Sequence, residues 1–360
     1  PDRHRPRQGA EMNDQDAVAL LRSLCEIYSP SGEEADAVNL LAHRAANAGL
    51  KASTDGAGNF IGERGDGPTS VVLLGHIDTV DGFIPPAVRD GRLHARGAVD
   101  AKGSLAMFVA ATARATIPIG VRVIVIGAVE EEAPTSKGAH YICDRYQPAA
   151  AVIGEPSGTS GITLGYKGRC ALSLVARQPH THSAGEGQSV AARAAEWWTR
   201  FEEYCVRRNH NRRVFDRVDA HLDEFHTSTD GFTDRADLRG SLRLPPEAPV
   251  NELRGRLADL ATGWGDVSLD NYTPPFLSDR KNRLVGALIR SIRNASLTPK
   301  FKLKTGTSDM NVVGPAWRCP IVAYGPGDSR LDHTANEHVV LDEYLNAVKI
   351  LTCVLGSRLA

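Results

Sequence analysis

Apolar positions change their period several times along the chain. From Asp14 to Gly49 they recur at helical spacing. DAVALLRSLCEIYS and EEADAVNLLAHRAANAG each place Ala, Val and Leu on one face, with a capping start at SPSGEEAD and a glycine stop. A short run, GNFIGERG, comes next. SVVLLGHIDTV, VRVIVIGAVEEE and AAAVIGEPSG are then continuous apolar runs of the kind that strands buried on both faces require. An Ala-rich helix after GAVDAKG and a short helix at KGAHYICDRY separate them. This alternation predicts an α/β sheet with helices on both faces.

After Gly168 the pattern turns amphipathic. RCALSLVARQ alternates, SVAARAAEWWTRFEEYCVRRN is a long helix, and EFHTSTDGF and DRADLRGSLRLP are two strands. VNELRGRLADLATG is a second helix and DVSLDNYT a last strand, so the order is β-α-β-β-α-β. From Pro275 the first style returns, with a helix at 282–295, a turn at GTSDMN, the strand CPIVAYGPG and a helix from Asp342. The expected division is a disordered lead-in at 1–13, a first domain at 14–167 and 275–360, and an inserted domain at 168–274. No repeat of 20–50 residues is present.

Composition narrows the function classes. Forty-two Lys and Arg against 43 Asp and Glu leave a net charge of −1, which argues against a nucleic-acid binder. With 42% hydrophobic and 24% charged residues the chain is not of disordered type. The six cysteines form no C-x-x-C pair; that favours reduced thiols in a cytoplasm over a zinc-thiolate site. No apolar run approaches the ~18–20 residues of a membrane span, and PDRHRPRQGAEM is not a secretory signal.

Candidate chemistry collects where the first domain's strands finish: His76 and Asp78, Asp100, Glu130–Glu132, Glu155, and later His333. The carboxyl ends of strands form the crevice of an open α/β sheet. One such acid alone is ordinarily a turn or cap residue, and one such His a structural one. Several together repel unless a cation lies among them. Two His with several carboxylates and no Cys suit zinc or another divalent transition metal. In His-x-Asp both side chains point to one side of an extended segment, so Asp78 can fix the tautomer of His76. Glycines such as Gly75, Gly97, Gly154 and Gly325 flank these residues, where they allow close backbone approach.

GHIDTV, GAVDAKGSLA, AVEEEAPTSKGA, IGEPSG and GPGDSRLDHT, in that order, resemble the M20 zinc exopeptidases, a family of di-metal amide hydrolases that includes acetylornithine deacetylase and succinyl-diaminopimelate desuccinylase. The resemblance spans nearly the whole folded chain. It implies a mixed-sheet catalytic domain with an inserted ferredoxin-like (βαββαβ) lid through which the chain dimerises. It implies two divalent ions, Zn2+ or alternatively Co2+, one held by His76, Asp100 and Glu155 and the other by Asp100, Glu132 and His333. It makes Asp78 the orienter of His76 and Glu131 the general base, and it implies a cis peptide after Asp100. The triple Glu leaves two registers; the six-residue step from Glu132 to Gly138 matches the family when Glu131–Glu132 are the working pair. His182 takes the place of the lid histidine that stabilises the oxyanion, with His180 as its rival.

TLGYKGR, KTGTSDMN and GPGDSRLDHT are similar to the M20 hydrolases that release lysine or ornithine from the terminal Glu of an acidic amino-group carrier protein, in lysine and arginine biosynthesis. For the amino acid's carboxylate this implies a cation, from Lys167, Arg169 or Arg243, with Lys304 and Arg330 as further options. Ser308 and Asp309 are expected to line the pocket. Arg207, Arg208, Arg212 and Arg213 are a candidate docking patch for the carrier. The usual Asn-Val-Ile-Pro lid segment is replaced by HTSTDGFTDRADL. A small-molecule deacylase such as acetylornithine deacetylase is the alternative reading, and a non-catalytic M20-fold protein the remote one.

Overall fold

A computed structural model of the chain describes residues 12–359, apart from Ser183 and Pro249. Most of the expected lead-in lies outside them, but Met12 and Asn13 do not. The Asn13 side chain accepts the backbone N–H of Gln15 and Asp16, and the Asp16 carboxylate accepts that of Asn13. This capping box starts helix α1 (Asp14–Glu26). The described structure thus includes two residues of the expected lead-in, because the cap lies outside the hydrophobic period.

The described chain forms two compact units. One comprises residues up to Gly165, Ser278–Leu303 and Ser308 onward. The other is Tyr166–Leu277 with a four-residue return, Lys304–Thr307. Hydropathy does not register that return.

The first unit opens with α1, α2 (Ala35–Asn47), β1 (Lys51–Thr54), β2 (Phe60–Gly65) and β3 (Thr69–His76). A small hairpin, β4 (Ala87–Arg89) and β5 (Arg92–His94), precedes α3 (Lys102–Arg114). Then come β6 (Val121–Ala128), α4 (Lys137–Ile142), β7 (Ala150–Ile153) and β8 (Gly161–Tyr166). β3 runs parallel to both β6 and β7. Apolar runs at β3, β6 and β7 are buried almost throughout. α3 is as apolar as a strand. Leu105, Met107 and Phe108 are fully buried, each worth ~1.5–3 kcal/mol of burial.

The second unit runs β9 (Gly168–Pro179), α5 (Val190–Arg208), β10 (Asp219–Thr229), β11 (Thr233–Leu244), α6 (Val250–Ala261) and β12 (Gly265–Thr273). Its antiparallel sheet has the order β10-β11-β9-β12. This is the βαββαβ sandwich. Inward residues of β9 and β11, such as Leu172, Leu174, Leu238 and Leu242, pack with Trp197 and Phe201 of α5 and Leu253 and Leu257 of α6. The short strand β13 (Phe276–Leu277) closes the segment.

The chain then adds α7 (Arg283–Asn294), β14 (Lys300–Lys304), α8 (Asp309–Trp317), β15 (Ile321–Ala323), β16 (His338–Val340) and α9 (Leu341–Leu355). β15 joins β7 in parallel and β8 antiparallel, so the sheet is mixed, in the order β1-β2-β6-β3-β7-β15-β8. A separate sheet β16-β5-β4 binds the end of the chain to the stretch before Asp100. GTSDMN is not only a turn. The Ser308 hydroxyl accepts from Met310 N–H, and Asn311 Oδ1 accepts from Ser308 N–H, so the motif starts α8. Among the described residues no helix is long and apolar enough to cross a membrane.

Candidate metal centre

Five connections bring the ionisable residues together. β3 ends at His76, with Asp78 two residues on; Glu130–Glu132 follow β6, and Glu155 follows β7. Asp100 stands just before α3, and the Asp100–Ala101 peptide is cis, as the resemblance implies. His333 lies between β15 and β16. Close approach explains the glycine at 325: a Cβ there would lie 2.0 Å from Ser104 Oγ and 2.7 Å from the Glu155 carbonyl.

Asp100 is the hub. Its Oδ1 is 3.2 Å from His76 Nε2, and its Oδ2 is 3.1 Å from His333 Nε2. His333 Nε2 is also 3.0 Å from Glu132 Oε1. Asp100, Glu132 and His333 form one group of potential ligand atoms, all within 4.8 Å of one another; His76, Glu131 and Glu132 form another. A tetrahedral zinc with ligands at ~2.0–2.2 Å places neighbouring ligand atoms about 3.3–3.6 Å apart. The donor types and spacings thus fit divalent ions. The grouping differs from the expected one in that His76 keeps company with Glu131 and Glu132. Glu155 is buried and close enough for its charge to act on Glu131.

Asp78 does more than hold His76. The His76 Nδ1 is 3.0 Å from the Asp78 carbonyl and 3.3 Å from its Oδ1. The same carboxylate accepts the backbone N–H of Glu131 at 3.1 Å and Glu132 at 3.0 Å, and the Ser31 hydroxyl at 2.7 Å. Asp78 therefore aims one ring and two acidic residues at once. Within the triple Glu, Glu130 stands apart from the other two. Glu130 takes a left-handed φ of 57°, and its carboxylate bonds Lys137 Nζ and Thr135 Oγ1. Glu131 and Glu132 are left to the centre.

Electrostatics follow from this crowding. Burial by itself would depress the His76 imidazole, but the Asp100 and Asp78 carboxylates hold it well above its ordinary range. Asp100 and Glu132 raise His333 to about 10. Burial opposes the charge of Asp100, yet the two imidazoles keep its carboxyl low. Burial pushes Glu131 well up; His76 opposes this, while Glu155, Asp309 and Glu132 add to it. Asp309 is raised to about 7 by burial, with His76 opposing and Asp78 and Glu132 adding. Both its carboxylate oxygens are buried without a hydrogen-bond partner among the described residues.

Two of the expected substrate contacts are engaged elsewhere. Lys167 is 0% exposed, and its ammonium donates to the Arg217 carbonyl at 2.7 Å and Asp219 Oδ2 at 2.6 Å. A cation buried on its own acceptors does not present itself to a carboxylate. The Ser308 hydroxyl is buried in the α8 cap. Arg169 and Arg243 behave differently. They stand directly opposite in the β9–β11 register, where burial and the neighbouring Arg169 charge lower Arg243. Thr307 Oγ1 lies 3.4 Å from Arg243 Nη1. Arg330 is exposed and paired with Asp328. The His182 Nδ1 accepts Ala184 N–H at 3.1 Å, which leaves the proton on Nε2. His180 pairs with Asp234 at 2.8 Å.

The family model described as Peptidase family M20/M25/M40 matches residues 72–357. A LysW-lysine hydrolase of Deinococcus radiodurans is 43% identical over 351 residues, covering 95% of this chain and 96% of that protein. A putative LysW-lysine/LysW-ornithine hydrolase of Thermococcus kodakarensis is 37% identical, covering 96% and 92%. Among solved structures, a tripeptidase from Staphylococcus aureus superposes with a TM-score of 0.82 at 19% identity, covering 96% of this chain and 99% of that one. A dinuclear metal-binding M20-family peptidase from Bacillus subtilis gives 0.73 at 13% identity, covering 95% and 97%.

Proposed function

The chain belongs to peptidase family M20/M25/M40, and from that premise we propose that it is a metal-dependent amide hydrolase that frees lysine or ornithine from the terminal Glu of an acidic amino-group carrier protein. One observation carries this reading: 43% identity, over nearly all of both chains, to a LysW-lysine hydrolase. The substrate amide joins the amino acid's α-nitrogen to a side-chain carboxyl of the carrier.

His76, Asp100 and Glu155 would hold one ion, and Asp100, Glu132 and His333 the other, zinc first and cobalt as the alternative. When bound, the ions supply Lewis acidity and lower the pKa of water. Glu131 takes the proton from the attacking water as its oxygen adds to the carbonyl carbon. It delivers that proton to the nitrogen as the C–N bond breaks. A carboxyl raised by burial is the better acceptor for this work. Asp78 holds His76 and the Glu131 backbone in place. His182, protonated on Nε2, donates to the oxyanion. Arg169 and Arg243 bind the amino acid's carboxylate, a role to which two guanidinium groups in register are suited. The second unit acts as lid and pairs with that of another copy, for which the edge strand β10 offers unpaired backbone. The setting is cytoplasmic.

The test is release of free lysine and ornithine from purified carrier conjugates, beside acetylornithine as a small-molecule control. Efficient release from the conjugate is expected. Turnover of acetylornithine alone would replace this reading with the deacylase one.

Arg207, Arg208, Arg212 and Arg213 at the end of α5 are the proposed docking patch. Arg207 already has Glu203 at 3.7 Å, and Arg213 has Asp216 at 2.7 Å, so Arg208 and Arg212 carry much of the remaining positive charge. Reversing the charge of Arg207 and Arg208 is expected to raise KM for the carrier conjugate by about tenfold at low salt, with the difference shrinking as salt screens it. An unchanged KM in low salt removes the patch from docking.

A further inference from the structure

The segment that supplies His333 also carries Glu337, which is 1% exposed. Its Oε1 accepts two consecutive backbone N–H groups, those of Val99 at 3.0 Å and Asp100 at 3.2 Å. Its Oε2 accepts Arg96 Nη1 at 2.8 Å. Arg96 is itself buried; it donates through Nε to the Gly82 carbonyl at 3.0 Å and through Nη1 to the Thr334 carbonyl at 3.4 Å. Ala95 N–H donates to the Glu337 carbonyl at 3.3 Å, and β16 continues the seam by pairing His338 with His94. The loop bearing Asp100 and the loop bearing His333 are thus laced together by one side chain and its guanidinium partner, all within the first unit.

A further acid beside Asp100 is electrostatically unfavourable. Burial raises the Glu337 carboxyl and the Asp100 charge adds to this, against the two amides and Arg96. An apolar residue would avoid that cost but would leave the Val99 and Asp100 amides without an acceptor, at about 1–3 kcal/mol for a buried donor. Those amides set the direction in which the Asp100 side chain leaves the backbone, and Asp100 must present Oδ1 to His76 and Oδ2 to His333.

We propose that Glu337 is a positioning residue for the metal centre: by accepting the Val99 and Asp100 amides from the His333 loop, it fixes the bridging carboxylate against both histidines. This rests on the metal-centre reading above. The role belongs to the acceptor oxygen, and Arg96 keeps that oxygen in place.

The test is zinc affinity of the full chain by competition with a chelating indicator, together with the visible spectrum of the Co2+-substituted protein. Glu337→Ala is expected to bind at least one ion about 10–100-fold more weakly and to change the Co2+ spectrum. Glu337→Gln, whose carbonyl oxygen still accepts both amides although its NH2 cannot accept from Arg96, is expected to bind more tightly than the alanine variant. Alanine binding as tightly as wild type overturns the proposal. So does glutamine as weak as alanine, because accepting the two amides would then contribute nothing to the centre. Should the alanine variant not fold, Arg96→Met decides: weakened binding supports the clamp, and wild-type binding rejects it. A wild-type chain that binds no divalent ion defeats the metal-centre reading itself, a separate outcome.

Discussion

Glu131→Gln is expected to retain two bound ions and to lower turnover by about 10²–10⁴-fold. The substitution keeps the side chain's size and removes its ability to accept a proton. The backbone stays where Asp78 Oδ1 holds the Glu131 N–H, at 3.1 Å. Neither neighbouring acid is placed to take over. Glu130 is bound by Lys137 and Thr135, and Glu132 faces His333. Ion content by elemental analysis and kcat on the carrier conjugate are measured on the same preparation. Full turnover in the variant sinks the base assignment. Loss of one ion sinks it differently: Glu131 shares a ligand group with His76 and Glu132, and that result would make it a ligand.

The site was partly legible before the fold. A strand buried on both faces must be a continuous apolar run, so the ends of β3, β6 and β7 are visible in the chain, and with them His76, Glu131, Glu132 and Glu155. The βαββαβ unit is visible for the complementary reason, because its sheet has one dry face and its strands alternate. What is not legible depends on neighbours distant in sequence. Lys167 follows a strand and reads as a candidate partner for the substrate's carboxylate; the Arg217 carbonyl and Asp219 that engage it are both brought by later chain. Ser31 and Glu337 act by bonding to a side chain or a backbone amide elsewhere, and no residue pattern marks that. Ser308 and Asn311 did leave a signal, since Ser-x-x-Asn allows a reciprocal cap. The glycine before it and Pro315 inside α8 make the segment look like a turn.

The second large effect is expected at Asp100. Asp100→Asn should reduce bound zinc from two ions per chain to fewer than one under conditions that saturate the wild type. Turnover should fall by more than about 10³-fold. Among the described residues Asp100 is the acid in hydrogen-bond contact with both imidazoles, through Oδ1 to His76 and Oδ2 to His333. Asparagine keeps one acceptor oxygen and puts an NH2 donor where the other stood, so at most one ion retains its ligand, and the shared negative charge is gone. His333→Ala is the control, because it touches only the group with Asp100 and Glu132 and should cost one ion. Stability of the metal-free proteins provides an independent readout. His76 is buried and held well above its ordinary range, with hydrogen bonds to Asp100 and Asp78 offsetting burial. A raised imidazole stabilises the fold fully below its unfolded pKa, near 6.5, and that contribution fades as pH rises through the folded value. Asp100→Asn should therefore lower the melting temperature most at acidic pH, with the gap from wild type closing as the solution becomes alkaline. A variant that still binds two ions at wild-type affinity, or a gap that widens with pH, rejects Asp100 as the shared partner of both histidines.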